Sequence, residues 1–200
     1  MEIETKELHM NKLNSYIRIH DNLIPEKALK NFKRFCENDI EFGKATIVKG
    51  DGSVEVNEKV RNVEYYSCSN LADPSFSLVH WSNYISYMVN EKIKEYTKVL
   101  EINMGVIIND IQILKYVPGG FYEFHIDHGT STPRTLSMIY FVNDDYEGGE
   151  LHFKLWKEDK IMKIEKKSNR LIIWPSTFMY PHAVQPVTKG TRYSVVLWAL

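Results

Sequence analysis

Short apolar segments separated by turn residues make up the chain from Val106 onward. Turn-forming residues cluster at Pro118-Gly119-Gly120, Asn143-Asp144-Asp145 and Gly148-Gly149. Many short strands with such turns are typical of an antiparallel sandwich or barrel. The segments that we predict as strands are VIINDIQILKYV, FYEFHID, RTLSMIYFVN, GELHFKLW, KIMKIE, RLIIWP, HAVQPV and RYSVVLWAL.

The preceding half of the chain shows helical periodicity in two places. Pro25 can begin a helix, because Leu29, Phe32, Phe35 and Cys36 follow at helical spacing. The spacing of apolar residues over 77–100 predicts a longer helix. Its buried stripe is expected to contain Leu78, Trp81, Ile85, Met88, Ile93, Tyr96 and Leu100.

Two further segments of this half are predicted to form strands. Ser15–His20 alternates like a short strand, and residues 44–67 are β-rich around the hairpin signal Gly50-Asp51-Gly52. Helices followed by a run of strands argue against a parallel βαβ layout and for an α+β, mainly β fold. We predict one domain over 1–200, with a mixed N-terminal part over 15–104 and a β-rich core over 105–200.

Composition excludes several classes of protein. The 200 residues carry 25 basic and 26 acidic side chains, for a net charge of −1, which makes nucleic acid or an anionic membrane an unfavoured partner. Cys36 and Cys68 are the only cysteines and are expected to be buried, inert thiols in a reducing compartment. With no signal-peptide pattern and no membrane-length apolar stretch, the sequence predicts a cytoplasmic protein. The oligomeric state stays open.

The segment FYEFHIDHGT places polar residues inside an apolar strand pattern. Alternate residues of a strand share a face, so His125 and Asp127 should point the same way. Two histidines and one carboxylate form the ligand set of non-haem Fe(II) oxygenases, and His182 is the best third candidate. The alternative for each histidine is a hydrogen-bonded core residue.

Arg192 and Ser194 also share one face of a predicted strand, so both can reach into the same barrel. A buried arginine requires an anion, and its planar fork suits a carboxylate. No acid in the sequence is its obvious partner. A dicarboxylic cosubstrate would supply that anion.

The ordered set His125-x-Asp127, His182 and Arg192-x-Ser194 resembles the Fe(II)/2-oxoglutarate-dependent dioxygenases, in particular the prolyl 4-hydroxylase-like branch. The segments KYVPGGFYEFHIDHG, RTLSMIYFVND with EGGELHF, and RLIIWPSTFMYPHAVQPVTKGTRYSVVLWAL carry the likeness, which covers most of the chain beyond Tyr16. It implies a double-stranded β-helix, or jelly roll, packed against N-terminal helices.

The resemblance also implies roles for single residues. His125, Asp127 and His182 would bind Fe(II), and Arg192, assisted by Ser194, would pair with the distal carboxylate of 2-oxoglutarate. Tyr116 would hydrogen-bond this cosubstrate. With O2, 2-oxoglutarate would be decarboxylated to succinate and CO2 while a C–H bond is hydroxylated, and ascorbate is a candidate reductant.

The sequence departs from that branch at two positions. Many prolyl hydroxylases have lysine where this chain has Arg192, although other branches of the family use arginine. Phe141 falls where some relatives place a tyrosine that touches the distal carboxylate. Arg192 must therefore carry more of the carboxylate binding.

Three functions fit these observations. The first is hydroxylation of proline in a peptide or protein, and the second is oxidation of another substrate, such as a nucleobase or a free amino acid. The third is a non-catalytic, cupin-like metal-binding module, against which the pair Arg192 and Ser194 argues. For a peptide substrate we predict an open groove walled by residues 128–134 and 44–66, with Tyr65 or Tyr66 near its rim.

Other conspicuous residues are expected to be structural. His128 and His152 are predicted to be structural, packing or surface residues. Arg134 is predicted to be a salt-bridged surface residue, with contact to the substrate as the alternative. Gly148-Gly149 is predicted to be a turn that requires positive φ. Trp174 and Trp198 are expected in the core, where Trp198 could also wall the pocket.

Overall fold

The computed structural model describes residues 13–48, 52–69, 75–155 and 160–200. Within these ranges a 3-10 turn at Leu13–Tyr16 precedes two helices and sixteen strands. In chain order they are β1 (Arg18–Asp21), α1 (Glu26–Asn38), β2 (Gly43–Lys44), β3 (Ile47–Val48), β4 (Val54–Glu55), β5 (Arg61–Asn62), β6 (Glu64–Ser67), α2 (Phe76–Val99), β7 (Ile108–Tyr116), β8 (Phe121–His125), β9 (Leu136–Phe141), β10 (Glu147–Gly148), β11 (Leu151–Leu155), β12 (Lys160–Ile164), β13 (Arg170–Pro175), β14 (His182–Val184), β15 (Val187–Lys189) and β16 (Arg192–Ala199).

Two antiparallel sheets face each other. The large sheet has the strand order β1-β13-β9-β16-β7-β6-β2, and the small sheet has the order β12-β11-β14-β8-β5. Strands from the N-terminal half thus extend both sheets, and two short ribbons, β3-β4 and β10-β15, complete the set in the described part of the chain. The prediction of a mainly β fold with a jelly-roll core and packed helices is confirmed.

The central strands of the large sheet, β13, β9 and β16, are buried on both faces, which explains their nearly continuous apolar sequence. In β16, Val195 and Leu197 belong to a helix-side cluster with α1 and α2, whereas Val196 and Trp198 belong to an inter-sheet cluster. The other members of the inter-sheet cluster include Leu114, Tyr116, Ile139, Phe141, Leu151, Phe153, Trp174 and Val184. Because side chains alternate along a strand, every second residue of β16 faces the space between the sheets.

The helices agree closely with the predicted pattern. α1 begins directly after Pro25 and buries Leu29, Phe32, Phe35 and Cys36. In α2 the Ser75 hydroxyl accepts a hydrogen bond from the Leu78 backbone N–H, which caps the first turn. The prediction for the buried stripe of this helix missed Val89, which is fully buried.

Local sequence patterns did not locate every strand boundary and turn. The predicted strand over Ser15–His20 is partly wrong, because Leu13–Tyr16 forms a 3-10 turn and β1 begins at Arg18. β3 and β4 pair across the predicted hairpin, but Gly50 and Asp51 at its tip lie outside the described residues.

The predicted glycine turn and the predicted burial of the cysteines are both confirmed. Gly148 and Gly149 have φ of 71° and 66°, a backbone conformation that side chains other than glycine rarely adopt. Cys36 and Cys68 are free and buried. Among the described residues, neither helix combines the length and apolarity needed to cross a bilayer.

Candidate active site

Three side chains that can hold a metal ion meet between the sheets. His125 is the last residue of β8 and His182 the first residue of β14, and the two are paired across the small sheet. Asp127 lies two residues beyond the end of β8. One possible ligand atom from each of the three residues lies within 4.8 Å of those of the other two. Two imidazole nitrogens and one carboxylate oxygen suit Fe(II) and leave coordination positions open.

His125 and Asp127 lie close together, but not because they share the face of one strand. The sequence predicted that both residues belong to one strand and share its face, and this is wrong because β8 ends at His125. Asp127 is instead turned inward by the following loop, where its side chain is only 6% exposed. The two residues therefore converge through a strand end and a turn.

Backbone carbonyl groups orient both histidine rings. Nδ1 of His125 lies 2.8 Å from the Glu123 carbonyl oxygen, and Nδ1 of His182 lies 3.1 Å from that of Tyr180. An Nδ1–H that donates to these oxygens leaves the Nε2 lone pair free. The Nε2 atoms of His125 and His182 lie 3.6 Å and 3.4 Å from the two Asp127 carboxylate oxygens. The free nitrogens thus point to the same side as the carboxylate.

A serine pair holds the Asp127 carboxylate. The Ser137 hydroxyl donates to Oδ2 of Asp127 at 2.7 Å and is itself 2.7 Å from the Ser176 hydroxyl. Burial alone would raise the pKa of Asp127. The imidazoles of His182 and His125 and the Ser137 hydrogen bond outweigh burial and hold this pKa well below its usual range.

The protonation states suit metal binding. Burial lowers the pKa of His182 to about 4, although the nearby Asp127 carboxylate opposes this shift. At neutral pH the His182 imidazole is therefore uncharged and the Asp127 carboxyl is ionised. These are the forms in which both side chains bind a metal ion.

Arg134 connects the carboxylate to the large sheet. Its guanidinium lies 3.7 Å above the Trp198 ring, and its Nη1 is 3.8 Å from Oδ1 of Asp127. Its Nη2 is 3.7 Å from Oδ2 of Asp110. The side chain is only 19% exposed, so the prediction of a salt-bridged residue is confirmed, whereas its placement on the surface is wrong.

Aromatic and basic side chains line the approach to His125. The Tyr122 ring stacks on the His125 ring with centroids 3.6 Å apart, and the Arg61 guanidinium lies 4.8 Å from the Tyr122 centroid. A narrow cavity of about 30 Å³ is lined by all three of these residues and by Asp127 and His182. The ring of Tyr122 therefore packs one face of a candidate metal ligand.

Arg192 presents an unpaired charge to the same inter-sheet space. It is fully buried, and none of its three guanidinium nitrogens has a hydrogen-bond partner among the described residues. The hydroxyl of Ser194, also fully buried, has no partner either. The rings of Tyr116 and Phe141 lie 4.7 Å and 5.3 Å from the guanidinium carbon.

This arrangement fits a bound dicarboxylate. A buried guanidinium without a counter-charge is strongly destabilising, and a carboxylate would satisfy it through two parallel hydrogen bonds. Tyr116 faces Arg192 directly in the pairing of β7 with β16. The structure thus brings together the three residues that the sequence singled out for a cosubstrate, namely Tyr116, Arg192 and Ser194.

The sequence missed several residues of this region. Ser137 and Ser176 were not predicted, although Ser137 lies on the same face of β9 as Ile139 and Phe141, where a polar residue is conspicuous. Arg61 and Tyr122 gave no local signal, because only the pairing of β5 with β8 brings them together.

The structure agrees only in part with the predicted walls of the peptide groove, residues 44–66 and 128–134. The prediction for Tyr66 is wrong, because this side chain packs against the helix-side cluster on the far face of the large sheet. Tyr65 packs against the inter-sheet cluster, and a Cβ on Gly52 would lie 3.5 Å from the Ser131 hydroxyl oxygen. The two predicted wall segments therefore meet at Gly52 and Ser131.

The two other histidines considered in the sequence, His128 and His152, have structural surroundings. Nδ1 of His128 lies 2.8 Å from the Arg134 carbonyl oxygen, which closes the loop between β8 and β9. His152 sits in β11 between Lys163 and Ala183 of the neighbouring strands. Neither belongs to the group of possible metal ligands.

Comparison with known proteins agrees with this geometry. Residues 111–200 match the sequence family described as the 2OG-Fe(II) oxygenase superfamily. A PKHD-type hydroxylase from Synechococcus sp. (strain CC9902) is 30% identical over 152 residues, which are 74% of this chain and 64% of that protein. The chain spans 64%, 39% and 41% of the lengths of three curated PKHD-type relatives that it matches.

Solved structures of prolyl hydroxylases share the fold. A prolyl hydroxylase from Trichoplax adhaerens, in complex with a peptide fragment of hypoxia inducible factor, has a TM-score of 0.74 at 21% identity, covering 95% of this chain and 86% of that one. A prolyl-4-hydroxylase from Pseudomonas putida has a TM-score of 0.63 at 18% identity, covering 92% and 91%. Residues 111–200 thus match the 2OG-Fe(II) oxygenase superfamily, the chain has PKHD-type hydroxylase relatives, and it shares its fold with prolyl hydroxylases.

Proposed function

We propose that this chain is an Fe(II)- and 2-oxoglutarate-dependent dioxygenase that hydroxylates a prolyl residue of a peptide or protein. One observation carries the proposal. A triad of possible metal ligands and a buried, unpaired guanidinium face the same space between two sheets. A barrel that only binds a metal does not require the buried guanidinium, because a buried charge without a partner destabilises the fold.

His125, Asp127 and His182 would hold Fe(II). The metal, 2-oxoglutarate and O2 supply the oxidising chemistry, in which decarboxylation to succinate and CO2 accompanies conversion of a C–H bond to C–OH. The protein keeps the three ligands in place, since backbone carbonyls orient both imidazoles and the Ser137 hydroxyl orients the carboxylate. Such outer hydrogen bonds typically raise the affinity of a metal site about 10- to 100-fold.

Arg192, Ser194 and Tyr116 would bind 2-oxoglutarate. The guanidinium neutralises the distal carboxylate and the Ser194 hydroxyl donates to it. Tyr116 hydrogen-bonds the cosubstrate, and its ring, which lies against the guanidinium, shields the ion pair from water. Exclusion of water strengthens the electrostatic attraction between these groups. Ascorbate, which would keep the iron reduced, belongs to the same proposal.

The choice of proline rests on the relatives. A curated relative is a PKHD-type hydroxylase, and both structural neighbours described above are prolyl hydroxylases, one of them in complex with a peptide. A pyrrolidine ring within a chain has no N–H to donate, so shape and apolar contact must recognise it. We propose that residues 44–66 and 128–134 flank the peptide, because these two segments meet at Gly52 and Ser131.

Turnover assays test the proposal. Anaerobically purified protein is supplied with Fe(II), 2-oxoglutarate, ascorbate and O2, and succinate is measured with proline peptides, single-stranded nucleic acids and free amino acids. We expect proline peptides to stimulate succinate formation and to gain the mass of one oxygen atom on proline. Stimulation by nucleic acids or free amino acids alone would overturn the prolyl substrate but keep the dioxygenase.

Matched variants separate catalysis from contamination. His182→Ala should abolish succinate formation, because it removes one of three metal ligands. His152→Ala removes a histidine of the same sheet that belongs to no metal-ligand group, and it should retain activity. Equal activity of the two variants would contradict the proposal.

A further inference from the structure

Tyr146 carries a buried hydroxyl that belongs neither to the candidate metal ligands nor to the cosubstrate residues predicted from the sequence. The residue lies in the turn between β9 and β10 and is only 4% exposed. Its O–H has no hydrogen-bond acceptor among the described residues, because the nearby Arg192 guanidinium can only donate. A buried hydroxyl without a partner is destabilising, so its persistence in the fold calls for a ligand or a function.

One glycine and one asparagine hold the turn of Tyr146 in place. A Cβ on Gly190 would lie 3.2 Å from Cα of Tyr146, so only glycine at that position allows the turn to approach β16 closely. The Asn143 amide donates to the Thr191 carbonyl at 2.8 Å and accepts from the Tyr193 N–H at 2.7 Å. The turn that carries Tyr146 is therefore tied to the strand that carries Arg192.

The Tyr146 ring and the Arg192 side chain meet above Gly149. A Cβ on Gly149 would lie 3.1 Å from Cε2 of Tyr146 and 3.2 Å from Cδ of Arg192. Burial raises the pKa of Tyr146, while the Arg192 charge and the approach of its guanidinium, as a hydrogen-bond donor, to the phenol oxygen act in the opposite direction. The phenol thus stays protonated at neutral pH and can donate a hydrogen bond.

Phe141 places an apolar ring beside the Arg192 guanidinium. Its ring lies 5.3 Å from the guanidinium carbon and faces Ser194 across the β9–β16 pairing, but it has no hydroxyl. The resemblance stated above places a tyrosine at this position in some relatives. In this chain the nearby unpartnered phenol comes from Tyr146, on the turn that follows the same strand.

We infer that Tyr146 donates its hydroxyl to the distal carboxylate of 2-oxoglutarate and so replaces the tyrosine that is absent at position 141. This inference rests on the proposed function. The carboxylate would then be held by the Arg192 guanidinium and by the hydroxyls of Ser194 and Tyr146. These groups are the unpaired donors described above.

Calorimetric titration of 2-oxoglutarate into Mn(II)-loaded protein without O2 tests the inference apart from turnover. Tyr146→Phe should weaken binding about tenfold or more, as expected for loss of a hydrogen bond to a charged group. Tyr140→Phe is the matched control, because it removes a buried hydroxyl on the helix side of β9. It should leave the affinity unchanged.

A ligand without the distal carboxylate separates hydrogen bonding from packing. 2-Oxovalerate has a methyl group where 2-oxoglutarate has that carboxylate, so wild-type protein and Tyr146→Phe should bind it equally. An equal loss of affinity for both ligands would assign the effect to packing and overturn the inference.

A variant that gains a hydroxyl at position 141 completes the test. In the Phe141→Tyr, Tyr146→Phe double variant we expect 2-oxoglutarate affinity to recover toward wild type. A folded double variant as weak as Tyr146→Phe would overturn the inference. Undiminished binding by Tyr146→Phe would overturn it as well while leaving the proposed function intact, whereas wild-type protein that binds no 2-oxoglutarate would overturn both.

Discussion

His125 and His182 lie opposite each other across the β8–β14 pairing, with ring centroids 4.3 Å apart. Each ring places Nδ1 beside the backbone carbonyl two residues earlier in the chain. The same hydrogen-bond geometry at both histidines therefore turns both Nε2 atoms toward the Asp127 carboxylate. The ligand geometry depends on strand register, because a slip of one residue would turn either ring to the opposite face.

Removal of any one of the three candidate ligands should abolish tight metal binding. We expect His125→Ala, Asp127→Ala and His182→Ala each to lose stoichiometric Mn(II) or Fe(II), because two ligands cannot hold these ions against water. Metal content after dialysis measures this, with His152→Ala as the control that keeps the ion. Retention of one ion per chain in all three variants would place the metal elsewhere.

Ser137→Ala should weaken metal binding without removing a ligand. Its hydroxyl donates to Oδ2 of Asp127 at 2.7 Å, and loss of such an orienting bond typically lowers metal affinity about 10- to 100-fold. Titration with Mn(II) measures the change. Ser86→Ala, which removes a hydroxyl bonded to the Ser82 carbonyl in α2, should bind as wild type does. Indistinguishable affinities in the two variants would refute the role of Ser137.

Arg192→Met should separate folding from cosubstrate binding. The buried guanidinium has no partner among the described residues, so its replacement by an apolar side chain should raise the melting temperature of the ligand-free protein by a few degrees. The same variant should lose the thermal shift that 2-oxoglutarate gives wild-type protein, while metal binding persists. A persistent shift with 2-oxoglutarate would show that another residue binds the carboxylate.

The ion pair of Asp21 with Arg170 should make stability depend on pH. Arg170 donates to both Asp21 oxygens, at 2.7 Å and 3.1 Å, and these bonds together with that from Lys167 hold the pKa of Asp21 far below its usual range. The stabilisation is thus complete above the unfolded-state pKa of about 4 and is lost as pH falls below it.

Asp21→Asn tests that dependence. Because the carboxylate is partly exposed, we expect the variant to lower the free energy of unfolding by only about 1 kcal/mol at pH 7. The difference from wild type should shrink as the pH is lowered below about 4. Urea unfolding over this range measures both quantities, and a difference that does not vary with pH would contradict the assignment.

Cys36 and Cys68 should resist thiol reagents in the folded protein. Burial raises the pKa of both thiols, that of Cys68 to about 11, so at pH 8 neither forms an appreciable amount of reactive thiolate. Reaction with a chromogenic disulfide should be slow in buffer and complete in denaturant. Rapid reaction of either cysteine in buffer would show that its packing opens readily.

The sequence by itself determined most of the secondary structure and the chemical identity of the site. Period-two and helical patterns located both helices and most strands, because burial of one face imposes a fixed spacing on apolar residues. His125, Asp127 and His182 were identifiable as possible ligands, and Arg192 as a residue in need of an anion. Their roles as iron and 2-oxoglutarate ligands stay predictions until the variants above are measured.

Only the tertiary structure decided which side chains surround these residues. Ser137 meets Asp127, Arg134 stacks on Trp198, and the Tyr146 ring approaches Arg192 through contacts between different strands and loops. Local periodicity contains no information about such pairings. It also cannot fix the face of a short strand such as β6, where the register with β7 turns Tyr66 toward the helices and Tyr65 toward the space between the sheets.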